Sequence, residues 1–125
     1  MLECPRVTAT QSRPHLLAPD EQACSVSTFN HQLLEFTSID PDRLRDTHVL
    51  SGLLVAAAGA VGMPSLGPPV VREGAGGIAV ALLCLEGHIV LHCAPSEGAC
   101  LVEIIARAPA DVWKGIDVIS RRLGS

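Results

Sequence analysis

The sequence predicts an α+β domain, a two-layer sandwich in which two helices cover one face of a mostly antiparallel sheet. Two segments space their apolar residues by three and four: Leu50, Leu53, Leu54, Ala57 and Val61, then Val112, Ile116, Ile119 and Leu123. That spacing marks one buried helical face in each. Apolar runs of strand length, Ile78 to Leu85 and Ala99 to Ala106, lie between them. Together with Asn30 to Thr37, the segments read in the order β-α-β-β-β-β-α.

Residues 1–28 carry Pro5, Pro14 and Pro19 among many Ser and Thr, with no periodic apolar pattern. They read as a poorly ordered extension or a loose arm, with the domain over residues 29–125. Asn30 to Thr37 reads as the first strand. Asp40 is suited to cap a helix and Pro41 to open it, so a helix is expected from Pro41 or Asp46 to Ala60, with Gly62 as its C-cap. Met63 to Glu73 is extended, and Pro68-Pro69 keeps it at an edge. Gly74-Ala75-Gly76-Gly77 is a turn without the spacing of a phosphate cradle.

Ile78 to Leu85 is apolar on both faces, so both faces should be covered. Gly87 is read as the turn into a strand from His88 to Cys93. Ala94 to Gly98 is a hairpin loop, and Ala99 to Ala106 returns. Pro109-Ala110-Asp111 opens the last helix, whose polarity suits Asp early and Arg late. Two helices cover one side of such a sheet. The other side is therefore expected to pack against a second sheet, in a homodimer or in a heterodimer with a paralogue.

The chain has 125 residues, enough for one modest core. Hydrophobic residues are 48% against 18% charged, which again points to apolar surface buried by a partner. No apolar run reaches the ~18 residues of a membrane span. No basic stretch leads into an apolar core at the N-terminus, so no signal peptide is expected and the placement is cytoplasmic. Net charge is −4 with scattered Lys and Arg, which argues against nucleic-acid binding. Phe29, Phe36 and Trp113 are too far apart in sequence to stack bases. Cys4, Cys24, Cys84, Cys93 and Cys100 form no CxxC pair and suit free thiols in a reducing compartment.

The residues that could carry chemistry cluster at Leu85-Glu86-Gly87-His88-Ile89-Val90-Leu91-His92-Cys93-Ala94-Pro95. On a regular strand His88 and His92 share a face but stand ~13 Å apart, too far to chelate one metal. No metal site is expected; structural or interface histidines are the simpler reading. His31 is placed to approach His92 across the sheet. Cys93 and Cys100 flank the hairpin loop, as a pair across it or as two small buried hydrophobes. Glu86 and Glu103 are either a carboxylate pair or solvated groups. Arg107 is either a bidentate anion holder or a solvent-facing strand end. Ser96 has no base that the sequence places beside it.

The run from Glu86 to Pro95 resembles the Glu-Ser-His-x-x-x-His-Thr-x-Pro-Glu signature of the S-adenosylmethionine decarboxylases, a polyamine-biosynthesis family. The opening His31-Gln-Leu-Leu-Glu-Phe, the turn Ile39 to Leu44, the Ala-rich helix, Gly77-Ile78-Ala79-Val80 and the closing helix from Pro109 to Leu123 resemble it in order, over residues 30 to 123. In that family the central Ser attacks the preceding carbonyl and becomes a covalent pyruvoyl group, the electron sink for decarboxylation.

Here the position is Gly87, which has no side-chain oxygen. The family's catalytic Cys aligns with Arg107, and its Thr-Trp-Pro-Glu loop with Cys93-Ala94-Pro95-Ser96. The family's Tyr-Gly-Tyr has become Glu97-Gly98-Ala99. The resemblance thus implies a degenerate site of Glu86, Gly87, His88, His92 and Arg107, with no pyruvoyl cofactor and no decarboxylation. Three readings follow. A non-processing protein would bind a small molecule in a pocket of His31, His92, Cys93 and Arg107, or regulate a partner by dimerising, with weak or no binding of S-adenosylmethionine. An enzyme with replaced chemistry would use Glu86, His92, Arg107 or a cysteine. A ligand-free interaction module would use its apolar sheet for assembly alone.

Overall fold

A computed structural model describes residues 28–124. The expected poorly ordered arm lies outside the described residues, Thr28 excepted. The fold is α+β, as expected: one five-stranded sheet, antiparallel at every pairing, with the order β1-β5-β4-β3-β2. The strands are β1 (Phe29–Phe36), β2 (Val70–Glu73), β3 (Ile78–Cys84), β4 (Gly87–Ala94) and β5 (Ala99–Arg107). The helices are α1 (Pro41–Arg45), α2 (Thr47–Val61) and α3 (Trp113–Gly124).

Both candidate starts of the first helix are used, because there are two helices. Asp40 accepts from the Asp42 N–H and caps α1, and Pro41 takes the first position, where no donor is needed. Asp46 then leaves helical geometry, with φ −84° and ψ 88°, and its carboxylate accepts from the Val49 N–H to cap α2. One aspartate thus ends α1 and starts α2. Gly62 closes α2 in the left-handed conformation, its N–H donating to the carbonyls of Ala58 and Gly59. The Arg43 guanidinium donates to the carbonyls of Arg122 and Leu123 and so ties α1 to the C-terminal end of α3.

The last helix begins later than Pro109 suggests. Asp111 accepts from the Trp113 N–H, and α3 starts at Trp113. Up to that point the chain is still leaving β5. The Ala110 N–H donates to Arg107, and Asn30 Nδ2 holds the Ala110 carbonyl at 2.8 Å.

Alternation along the strands sends one set of side chains toward α2 and α3. Val80 and Leu82 of β3, Ile89 and Leu91 of β4, and Cys100, Val102 and Ile104 of β5 meet Leu50, Leu54, Ala57 and Ile119 in the core. All of these are 0% exposed. Burying such side chains contributes roughly 1.5–3 kcal/mol each, which makes this layer the main source of stability. The stripes anticipated for both helices are the ones buried.

The other face of the sheet meets no element among the described residues. Leu83 is 64% exposed there, with Val70 on the neighbouring edge strand and Phe29 on the opposite edge strand at 48% each. Val90, Leu101 and Ile105 sit between them, partly covered by their neighbours. The helices cover one face of the strand expected over Ile78 to Leu85, as anticipated for a single chain. The strand's apolar second face has no cover of its own.

Candidate functional site

The β3–β4 turn consists of Leu85 and Glu86, not Gly87. Cys84 and Gly87 are already ladder partners. Glu86 takes the positive φ of 65° that the tight reversal needs, although it has a side chain. A non-glycine residue there is strained by about 1–2 kcal/mol. Two contacts hold it. Its carbonyl accepts from the Arg107 N–H at 3.1 Å, and its carboxylate accepts from the Arg107 guanidinium at 3.3 Å. That guanidinium also lies over the Phe29 ring, 5.7 Å from its centroid. Arg107 thus holds a carboxylate of its own chain. Both side chains are about half exposed, so the pair contributes less than about 1 kcal/mol.

Gly87 is a β4 residue pinned against β5. A Cβ at this position would lie 2.2 Å from the Ile105 carbonyl oxygen and 2.8 Å from the Met63 sulfur. The first of these atoms is backbone and cannot rotate away. The position therefore has no space for a side chain of any kind. A pyruvoyl group made from residue 87 does not fit this chain. Gly87 has no side-chain oxygen from which to form the group. A glycine inside a strand is the sequence sign of such close approach.

His88 and His92 share the open face, as alternation requires. His88 pairs with Glu103, Nε2 to Oε1 at 3.2 Å, both partly exposed. The two expected carboxylate neighbours are therefore apart: Glu86 meets Arg107, and Glu103 meets His88. The register explains this, since Glu103 lies opposite Val90 while Gly87 lies opposite Ala106. His92 is exposed, between Ala79 of β3 and Leu101 of β5. His31 does not approach it. It lies opposite Ile105, which in turn lies opposite His88, so His31 shares a row with His88 at about two strand spacings, ~9.6 Å.

Cys93 and Cys100 are ladder partners on the core side, with sulfurs 3.4 Å apart, and both are free thiols. The hydrogen bond between them lowers the Cys93 pKa, while the same bond and burial push Cys100 up. Burial pushes Cys84 up as well.

The four residues expected to line one pocket are divided. His92 and Cys93 border a cleft of about 430 Å³ with Arg72, Glu73 and Gly77. His31 borders another of about 450 Å³ with Gln32, Asp111 and Trp113. Arg107 sits at the far end of β5 with Glu86. Among the described residues, no three His, Cys, Asp or Glu are arranged to hold a metal ion. No helix among them is long and apolar enough to cross a membrane. Sequence reasoning missed the His88–Glu103 contact and the role of Met63 over Gly87. Both depend on register, which the sequence does not print.

A family model described as S-adenosylmethionine decarboxylase matches residues 30–125. No curated protein matches the chain. Among solved structures, the adenosylmethionine decarboxylase from Aquifex aeolicus VF5 superposes with a TM-score of 0.72 at 19% identity, over 80% of this chain and 83% of that one.

Proposed function

Because the chain belongs to the S-adenosylmethionine decarboxylase family, we propose that it is a member that neither processes itself nor decarboxylates. Its role in this reading is that of a regulatory or assembly partner, docking its open sheet face on a second copy or a paralogue in a reducing cytosol. The observation that carries the reading is the packing at Gly87: an absent oxygen, in a place that admits no side chain. Arg107 in place of the family's cysteine supports it, because its guanidinium is engaged with Glu86. The half-exposed apolar face supports the docking role, since contiguous apolar surface of this kind marks an interaction site.

An enzyme with replaced chemistry draws no support from the geometry. Glu86 and Arg107 stand at one end of the sheet face, His92 at the other, and Cys93 on the opposite face. A small-molecule role remains for the cleft at His92, with weak or no affinity for S-adenosylmethionine. Four measurements test the proposal. The purified chain is expected as one intact mass, with no carbon dioxide released from S-adenosylmethionine and no calorimetric binding in the low micromolar range. Two fragments or a turnover would overturn the inactive reading, and a sedimenting monomer at high concentration would overturn docking on a second copy.

A further inference from the structure

We infer that Cys93 and Cys100 form a dithiol site that a hydroperoxide oxidises to a cross-strand disulfide. The pair is built for closure. The two residues are direct ladder partners at the loop end of the β4–β5 hairpin, and their sulfurs stand 3.4 Å apart in the core. Directly opposed antiparallel residues have Cα atoms ~4.5–5.5 Å apart, inside the range a disulfide spans. Side-chain rotation therefore suffices to reach the bond, with no strand movement. Cys84 differs: its thiol donates to the Leu82 carbonyl of its own strand.

The chemistry has a direction. The hydrogen bond between the sulfurs favours charge on Cys93 and leaves the proton with Cys100. The Cys93 thiolate attacks one oxygen of the hydroperoxide. The O–O bond breaks, hydroxide or alkoxide leaves, and Cys93 becomes a sulfenic acid. Cys100 sulfur then attacks Cys93 sulfur. The S–S bond forms, the S–O bond breaks, and the departing hydroxide takes the Cys100 proton as water. The two thiols lose two electrons and the peroxide gains them.

Burial selects the oxidant. Cys93 is 3% exposed and Cys100 is 0% exposed, so bulky disulfides are excluded, whereas hydrogen peroxide is close to water in size. Cys93 is also among the residues that border the cleft with Gly77 and Ile78. The new bond staples a hairpin whose Gly98 carbonyl accepts the Ile39 N–H at the β1–α1 corner. Closure of so short a loop is expected to raise the melting temperature of the folded chain.

The experiment treats the full folded chain with hydrogen peroxide, quenches, alkylates residual thiols after unfolding, and maps the peptides. The expected product is a Cys93–Cys100 disulfide, reversed by dithiothreitol. In Cys100→Ala the reaction is expected to stop at a sulfenic acid on Cys93, trapped by dimedone. The wild-type map decides the matter even if that variant misfolds. Cys93 and Cys100 both remaining alkylatable while Cys4, Cys24 or Cys84 has oxidised would overturn the inference. So would disulfides that join either residue to a different cysteine.

Discussion

At Gly87 the deciding quantity is the 2.2 Å between a hypothetical Cβ and the Ile105 carbonyl oxygen. Restoring the family's residue is therefore not a repair. Gly87→Ser is expected to give an uncleaved chain, destabilised by about 1–3 kcal/mol or more through overpacking against fixed backbone. Intact-mass spectrometry and urea unfolding check both parts, and a self-cleaving variant would show that β4 can move aside. The cysteines set a second residue-scale expectation. Burial raises Cys84 above its ordinary value of 9.0, and Cys100 is raised by its partner and by burial. Folded, both keep protons that the unfolded chain releases near pH 9. The unfolded state then binds fewer protons, so stability declines as pH rises above about 9. Urea unfolding above pH 9, past the range in which the lowered Cys93 thiol acts with the opposite sign, should show this decline, reduced in Cys84→Ala; an unchanged slope in that variant would remove Cys84 from the account.

Asp46 governs the element scale, because its backbone N–H closes α1 on the Arg43 carbonyl and its carboxylate caps α2. Asp46→Ala is expected to cost about 1 kcal/mol, the usual loss for an N-cap oxygen. A shift in the denaturation midpoint at constant slope would measure it; no shift would mean that packing of Leu44 and Leu50 alone holds this corner. Most elements were legible because their signals are local. The helical stripes, Gly62, the Pro68-Pro69 edge and the β3 run all follow from periodicity or from backbone chemistry. The places that differ share a cause. The late start of α3 depends on Asn30 reaching Ala110 from a strand far away in sequence. The turn at Leu85-Glu86 in place of Gly87 depends on β5 crowding β4. Neither distant contact leaves a local mark.

For the whole molecule the question is what the open sheet face does. Its apolar side chains are interleaved with polar ones: the His88–Glu103 pair lies mid-sheet among Val90, Leu101 and Ile105, and the Glu86–Arg107 pair lies at one end. Leu83→Lys is expected to shift the assembly toward monomer while leaving the melting temperature within about 3 °C, because Leu83 is exposed in the single chain. Sedimentation at several concentrations checks it. An identical oligomer in that variant would place the contact elsewhere. The candidate site was legible only in its parts. His88, His92, Cys93, Cys100 and Arg107 were all visible as residue types with chemistry. The Cys93–Cys100 pairing was one of two readings of the hairpin loop, whereas the Glu103 partner of His88 was not legible, because a pairing shifted by two residues would have exchanged it.

The sequence by itself determined the α+β architecture, the buried stripes and the loss of an oxygen at position 87, since each is a property of residue type and spacing. Only the tertiary structure decided that position 87 has no space for a side chain, that Glu86 meets Arg107 and His88 meets Glu103, and that two cysteine sulfurs touch. Those facts are set by the register and separation of strands distant in sequence, which periodicity along one strand does not encode.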